Sequence, residues 1–225
     1  MTAISNTLDI FYRPGRVFIR NKEKGDWVLP LLIILIISIL STCLLVPALL
    51  IPDHIDKLLS NPNLSQEEKE ASLGYFQSSF HHFSTFLSTF FFKVVYYPFL
   101  ALILTLLPLV FGGKPVKYTA VLSTVAYTGI VNSLGFLLDT ILKLQHNSLD
   151  IGLNLSLVLN SSNLYISSLL KSVNIFGLWQ VFLLSLLIYI FYNYSKLKSF
   201  LIIFNSYLII KIISGYFNYL KLIID

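Results

Sequence analysis

The stretch from Val28 to Ile51, VLPLLIILIISILSTCLLVPALLI, contains no charged residue. A helix rises about 1.5 Å per residue, so this stretch is long enough to cross a hydrocarbon core of roughly 30 Å. Pro30 falls in its first turn, where a missing backbone N–H costs little, and Pro47 is expected to bend its end. The stretch therefore predicts a membrane-spanning helix and sets the class of the protein.

The composition of the whole chain agrees with that class. Hydrophobic residues make up 56% of the 225 positions and charged residues only 12%, whereas soluble domains carry about 25% charged residues. A chain this apolar would expose large hydrophobic patches in water, so lipid is its natural solvent. The basic residues behind the net charge of +5 lie beside apolar segments, which favours the lipid bilayer, and not nucleic acid, as their partner.

Five segments are apolar and long enough to span a bilayer. We place the spans at about residues 28–51, 94–111, 118–142, 174–194 and 197–222. The predicted fold is an all-α integral membrane protein with five transmembrane helices and amphipathic interfacial helices, in which residues 28–225 form one membrane domain. Between the third and fourth spans, the alternating apolar residues of 151–159 predict an extended piece or short helices at the interface, because an unpaired strand cannot lie in lipid.

Residues 1–27 are predicted to form a cytoplasmic interfacial segment. Their apolar positions recur at helical spacing, which indicates two short amphipathic helices in the headgroup layer, the second beginning at Pro14. The basic residues expected to anchor this segment to the membrane surface are Arg13, Arg16, Arg20, Lys22 and Lys24. A second interfacial helix is predicted to begin near Gln66, because Ser65 and Glu68 have the spacing of a capping box.

The distribution of basic residues predicts the orientation. Short segments on one side hold nine of them, which are the five N-terminal anchors together with Lys114, Lys117, Lys196 and Lys198. The longer segments on the opposite side mix basic with acidic residues. By the positive-inside rule, we expect a cytoplasmic N-terminus and an external C-terminus.

Two charged residues within spans are candidates for an ion pair, because charge in the bilayer is costly and is usually partnered. Asp139 falls in the outer part of the third span, and Lys211 lies about 20 Å into the fifth span by helical rise. One interpretation pairs Asp139 with Lys211 across the bundle. The other pairs Asp139 with Lys143, four residues further on, while Lys211 reaches the outer headgroups.

Three asparagines lie in or beside spans, namely Asn132, Asn174 and Asn205. They are expected to make hydrogen bonds between helices, and a substrate path is the alternative. The sequence contains no catalytic motif and no phosphate-binding loop, and its histidines lack the spacing of a metal site. We therefore expect no enzymatic activity, no cofactor and no metal.

An ordered set of short motifs resembles the prokaryotic branch of the Yip family, five-span membrane proteins named for interaction with Ypt/Rab GTPases. The motifs cover nearly the whole chain and comprise Asp9-Ile10-Phe11, Arg13-Pro14, Val17-Phe18, residues 24–30, Gly112-Gly113, Tyr118, Val125-Ala126-Tyr127, and residues 154–157 and 174–179. The resemblance implies five spans, a cytosolic N-terminus and a place in a prokaryotic inner (cytoplasmic) membrane. Eukaryotic members act in vesicle trafficking, whereas for the prokaryotic branch the resemblance implies a fold and not an activity.

These observations favour a non-enzymatic accessory or scaffold subunit that binds another membrane protein complex, such as a transporter. Its spans hold many small, aromatic and asparagine residues but no catalytic set. The alternative is a membrane-remodelling or lipid-moving protein that acts alone, and a small-solute transporter comes third. The partners expected are the lipid bilayer and an integral membrane protein or further copies of this chain.

Overall fold

The computed structural model of the chain describes residues 2–76, 78–159 and 161–224, and within these ranges no strand occurs. The helices, in chain order, are α1 (Thr2–Tyr12), α2 (Pro14–Glu23), α3 (Val28–Leu45), α4 (Ile51–Ser60), α5 (Gln66–Phe76), α6 (Ser79–Val110), α7 (Tyr118–His146), α8 (Leu164–Ser172), α9 (Ile175–Tyr192) and α10 (Lys196–Ile224). The predicted all-α class is confirmed.

Among the described residues, five helical segments are long and apolar enough to cross a membrane, as predicted. They are Val28–Ser60, Phe83–Val110, Tyr118–His146, Ile175–Tyr192 and Lys196–Leu220. The first continues through α4 instead of ending near residue 51. The second begins at Phe83 and not near residue 94, because the phenylalanine-rich residues 83–92 belong to the same helix, α6.

The bend expected at Pro47 takes the form of a π-turn that joins α3 to α4. Proline has no N–H to donate to the carbonyl four residues earlier. The chain widens to i→i+5 bonding over Val46–Leu50, and the N–H of Ile51 bonds the carbonyl of Val46. The helix therefore continues past Pro47 without a break.

The centre of the bundle is α7, because 72% of its most hydrophobic 18-residue stretch is buried. It packs against α3, α6 and α9. At Gly129 an added Cβ would overlap the ring of Tyr97 and lie 2.7 Å from Cδ1 of Ile34. Only a residue without a side chain lets α3 and α6 approach α7 this closely, which is a common device in membrane bundles.

The N-terminal helices α1 and α2 form a hairpin whose apolar face is buried, with Ile10 and Phe18 fully covered. The Phe11 and Trp179 rings are 6.0 Å apart, and Nζ of Lys22 donates to the carbonyl of Ile190 at 3.1 Å. These two contacts are about 16 Å apart along α9 by helical rise. The hairpin thus packs on α7 and lengthwise along α9. Its position in the headgroup layer stays a prediction.

Two hydrogen bonds tie the segment before α8 to the beginning of α9. The N–H of Leu155 bonds the carbonyl of Val173, and the N–H of Ile175 bonds the carbonyl of Leu153, around an isolated antiparallel bridge. A short 3₁₀ turn follows at Leu155–Leu157, and then α8. The segment therefore contains both an extended piece and short helices, the two forms that the sequence favoured.

Pro108 lies inside α6 and leaves the carbonyl of Leu104 without its helical N–H donor. The hydroxyl of Tyr192, at the end of α9, donates to that carbonyl at 2.9 Å. Neighbouring helices often satisfy a carbonyl that a membrane proline sets free. This bond joins α6 to α9 at the end of the bundle where α10 begins.

Candidate functional site

The spanning helix that the rest of the chain covers least is α10. Only 11% of its most hydrophobic 18-residue stretch is buried. Its inner face packs on α8 and α9 and includes the buried residues Ser199, Ile203 and Gly215. At Gly215 an added Cβ would lie 3.1 Å from Cα of Leu169, so the missing side chain lets α8 lie directly on α10. Among the described residues, the opposite face of α10 is approached only by the end of α6.

That outward face carries side chains at alternating steps of four and three residues. We call them the α10 seam: Lys198, Ile202, Asn205, Ile209, Ile212 and Tyr216. This spacing is the heptad spacing of helices that pack side by side. Ile209 is 59% exposed and Tyr216 is 51% exposed, so the seam is largely uncovered in the single chain.

Asn205 lies in the middle of the seam and is exposed. It follows Lys196 by nine residues, or roughly 14 Å of helix, which places it near the middle of a hydrocarbon core of about 30 Å. No hydrogen bond joins its side chain to another described residue. An amide in hydrocarbon without a partner is costly, so this position differs from the apolar positions around it.

The other two asparagines singled out from the sequence have contacts within the chain. Asn174 caps α9, because its side-chain oxygen accepts from the N–H of Phe176 at 2.8 Å. Asn132 lies on α7 beside the hydroxyl of Tyr97. The amide of Asn205 is therefore the one of the three that faces outward.

A groove of about 520 Å³ lies between α10 and the end of α6, and four seam residues, Lys198, Ile202, Asn205 and Ile209, line it. Leu107 and Phe111 form its α6 wall, and Leu201 and Asn205 lie on its α10 wall. Lys198 lies at the end of the groove, where its Nζ donates to the carbonyl of Phe111 at 3.1 Å and lies 4.0 Å from the ring centre of Tyr194. These contacts hold the ammonium group against its own chain.

Asp139 has a structural role on α7. Its Oδ2 lies 2.7 Å from Nζ of Lys143, and its Oδ1 accepts from the N–H of Leu153 at 2.7 Å. Nζ of Lys211 lies instead 5.4 Å from the ring centre of Tyr207. The structure therefore does not bring Asp139 and Lys211 together, and it contains the local pair with Lys143. Because Leu153 also bonds the beginning of α9, Asp139 positions that junction.

Two acidic groups outside the spans have shifted pKa values. The hydrogen bond from Lys171 at 2.8 Å, with its positive charge, holds the pKa of Asp150 below its ordinary value. The backbone N–H and hydroxyl of Ser65 donate to Glu68 at 2.8 and 2.9 Å and lower the pKa of that carboxyl. The hydrogen bonds between Ser65 and Glu68 confirm the capping box that begins α5.

The five basic residues expected to anchor the N-terminal segment are all exposed. NH1 of Arg20 bonds Asp9 at 3.0 Å and Asn6 at 2.9 Å, so it joins α1 to α2. Lys22 bonds α9, as described above. The anchoring role of Arg13, Arg16 and Lys24 stays a prediction.

An apolar stripe lies on the outer face of α1. Ile4 is 69% exposed, Leu8 62% and Tyr12 81%, and their spacing of four residues places them on one side of the helix. This stripe adds to the buried face formed by Ile10, so α1 is apolar on two sides. Such a helix suits a position between the bundle and lipid.

Fold and composition together define an all-α integral membrane protein with five spanning helices. Among the described residues, no group of three or more His, Cys, Asp or Glu side chains is placed to hold a metal ion. The family model of the Yip1 domain matches residues 8–217, so the chain belongs to the Yip1 domain family, as its motifs indicated. No curated protein and no solved structure matches the chain.

Proposed function

We propose that this protein is a non-enzymatic scaffold or accessory subunit that binds a further spanning helix along the α10 seam. The observation that carries the proposal is Asn205, an amide exposed near the middle of a spanning helix. Lipid tails offer no hydrogen-bonding group, so a second helix is the natural source of its partner. The heptad spacing of the seam gives that helix a continuous surface.

Four hydroxyls inside the bundle make hydrogen bonds within their own helices. The hydroxyls of Ser41, Thr42, Thr124 and Ser185 each donate to the carbonyl four residues earlier on their own helix. Hydroxyls used in this way are satisfied locally and do not require water or a solute.

The proposal places the protein in a prokaryotic cytoplasmic membrane with its N-terminus inside. Contacts of two basic residues support a common end for the positive segments, because Lys22 reaches the end of α9 and Lys198 reaches the end of α6. Lys114 lies in the turn between α6 and α7 at that end. Labelling of single cysteines at Lys114 and Asp150 with a membrane-impermeant reagent tests the orientation, and labelling of Lys114→Cys in intact cells would contradict it.

A photo-crosslinking amino acid at Asn205 tests the proposed helix partner in native membranes. Ile210 is the matched control, because it is 62% exposed and lies about 140° around the helix from Asn205. We expect the probe at Asn205 to capture protein and the probe at Ile210 to capture lipid, as identified by mass spectrometry. Lipid adducts alone from both positions would contradict the proposal.

A lipid-moving protein that acts alone is the second candidate, favoured by the exposed apolar stripe of α1. It predicts that the purified chain moves labelled lipid between the leaflets of liposomes. Replacement of Leu8 and Tyr12 by serine would then abolish the movement. Under the scaffold proposal the purified chain leaves the lipid distribution unchanged.

A further inference from the structure

We infer that the helix on the α10 seam is α10 of a second copy of this chain, in a parallel dimer in which Asn205 meets its equivalent. This inference rests on the proposed function, because it identifies the partner of the same surface. Its basis is the chemistry of the amide, the depth of the residue and the pattern of the seam.

Depth and symmetry restrict what Asn205 can meet. Two copies inserted in one membrane share an orientation, so the two-fold axis relating them runs along the membrane normal. Equivalent residues then lie at the same depth, and α10 of one copy runs parallel to α10 of the other. An outward residue at the interface therefore faces its own equivalent.

Asparagine is suited to face itself. Its amide holds two N–H donors and a carbonyl acceptor, so two such groups can each donate to and accept from the other. A lysine or aspartate at this position would face a like charge instead. The single asparagine on an otherwise apolar part of the seam is also the residue type that fixes register in parallel helix pairs.

The seam provides the contact area for such a pair. From Ile202 to Tyr216 it extends over roughly 21 Å of helix, which is most of the hydrocarbon core. Steps of four and three residues suit left-handed packing at about +20°, the common arrangement of spanning helices. Ile209 at 59% exposure and Ile212 at 48% exposure follow the amide along the seam and are available for contact.

The basic end of the seam does not oppose the dimer. Lys198 begins the seam, and two equivalent ammonium groups would repel if they pointed at each other. In the structure, Nζ of Lys198 is held by the carbonyl of Phe111 and the face of Tyr194. The charge is therefore directed toward α6 and leaves the seam from Ile202 onward for contact.

Disulfide formation between neighbouring positions tests the inference while Asn205 stays in place. In a chain whose only cysteine, Cys43, is replaced by alanine, one variant carries Ile209→Cys and the matched control carries Ile210→Cys. The two positions are adjacent and similarly exposed, at 59% and 62%, but only Ile209 belongs to the seam. Copper phenanthroline oxidises two thiols, one from each copy, to a disulfide in native membranes.

We expect a disulfide-linked dimer from Ile209→Cys and monomer from Ile210→Cys. Equal dimer from both positions would indicate random collision and would overturn the inference. No dimer from either position, together with capture of a different protein by the probe at Asn205, would overturn the inference and leave the proposed function standing. No dimer together with lipid adducts alone would overturn both.

The contribution of the amide is measured by energy transfer between labelled copies in liposomes. Asn205→Leu should lower the dimerisation constant about threefold to twentyfold, the range that polar contacts between spanning helices produce. Asn205→Gln, which keeps donors and acceptor, should retain most of the dimer. Asn218→Leu, at an exposed asparagine elsewhere on α10, should leave it unchanged. An unchanged constant for Asn205→Leu would refute the inference.

Discussion

Replacement of Tyr192 by phenylalanine should destabilise the bundle by removing a hydrogen-bond donor from a buried site. The Tyr192 side chain is 4% exposed, and its hydroxyl lies 2.9 Å from the carbonyl of Leu104. Pro108 cannot give that carbonyl its usual helical N–H. The tyrosine therefore supplies a bond that α6 cannot make for itself.

The expected loss follows from these contacts. Hydrogen bonds between spanning helices contribute about 0.6 kcal/mol on average and up to about 1.7 kcal/mol. Leaving a buried acceptor without any partner costs about 1–3 kcal/mol. The ring volume is unchanged in Tyr192→Phe, so no cavity adds to the cost, and we expect the free energy of unfolding to fall by about 1–2 kcal/mol.

A double-mutant cycle separates this bond from other effects of the substitution. Pro108→Ala restores an N–H for the Leu104 carbonyl, so Tyr192→Phe should cost less than about 0.5 kcal/mol in that background. The assay is equilibrium unfolding in mixed micelles, followed by circular dichroism. Tyr189→Phe is the control, because the Tyr189 hydroxyl has no hydrogen bond with the described residues. Equal losses for Tyr192→Phe in both backgrounds would refute the reasoning.

Three further substitutions test other parts of the fold. Gly129→Ala should lower the free energy of unfolding by about 1–3 kcal/mol through overpacking. The control Gly74→Ala, where an added Cβ meets nothing within 4 Å, should raise the free energy of unfolding slightly. Equal effects of the two substitutions in a thermal unfolding assay would contradict the close packing at Gly129. Asp139→Ala should speed hydrogen exchange in residues 151–156, and unchanged exchange would show that Asp139 does not hold that segment. Ser65→Ala should destabilise α5 by about 1 kcal/mol and raise the pKa of Glu68, and an unshifted pKa would contradict the capping box.

The number and order of the spans could be predicted because apolar length is a local property of the sequence. The helix beginning at Gln66 was equally accessible, since Ser65 and Glu68 are only three residues apart. The pairing of Asp139 was narrowed to two choices, and the local one formed because Lys143 lies one turn away on the same helix. Predictions of this kind succeed where the deciding contacts are close in sequence.

The packing of the N-terminal hairpin against the bundle could not be predicted in the same way. Amphipathic periodicity shows that one face of α2 is apolar, but a protein surface and a headgroup layer satisfy that face equally well. The contacts of the hairpin with α9 are made to Trp179 and Ile190, which are more than 150 positions from the hairpin in sequence. The hydrogen bond from Tyr192 to the carbonyl of Leu104 could not be predicted either. Pro108 shows that this carbonyl lacks its helical donor, but it does not show which residue replaces the donor.

Low coverage alone does not make α10 an interaction surface, and comparison with α6 shows why. The α6 helix is also little buried, since only 17% of its most hydrophobic 18-residue stretch is covered by the chain. Its exposed positions, however, include Phe99, Leu102 and Leu106, which lipid solvates well. The α10 helix differs by one exposed amide at mid-depth. If Asn205 served only the fold of the single chain, Asn205→Leu would lower the stability of the monomer. Because the amide has no hydrogen bond there, the same change should leave the monomer in detergent as stable as before, or more stable, while it weakens assembly in the bilayer.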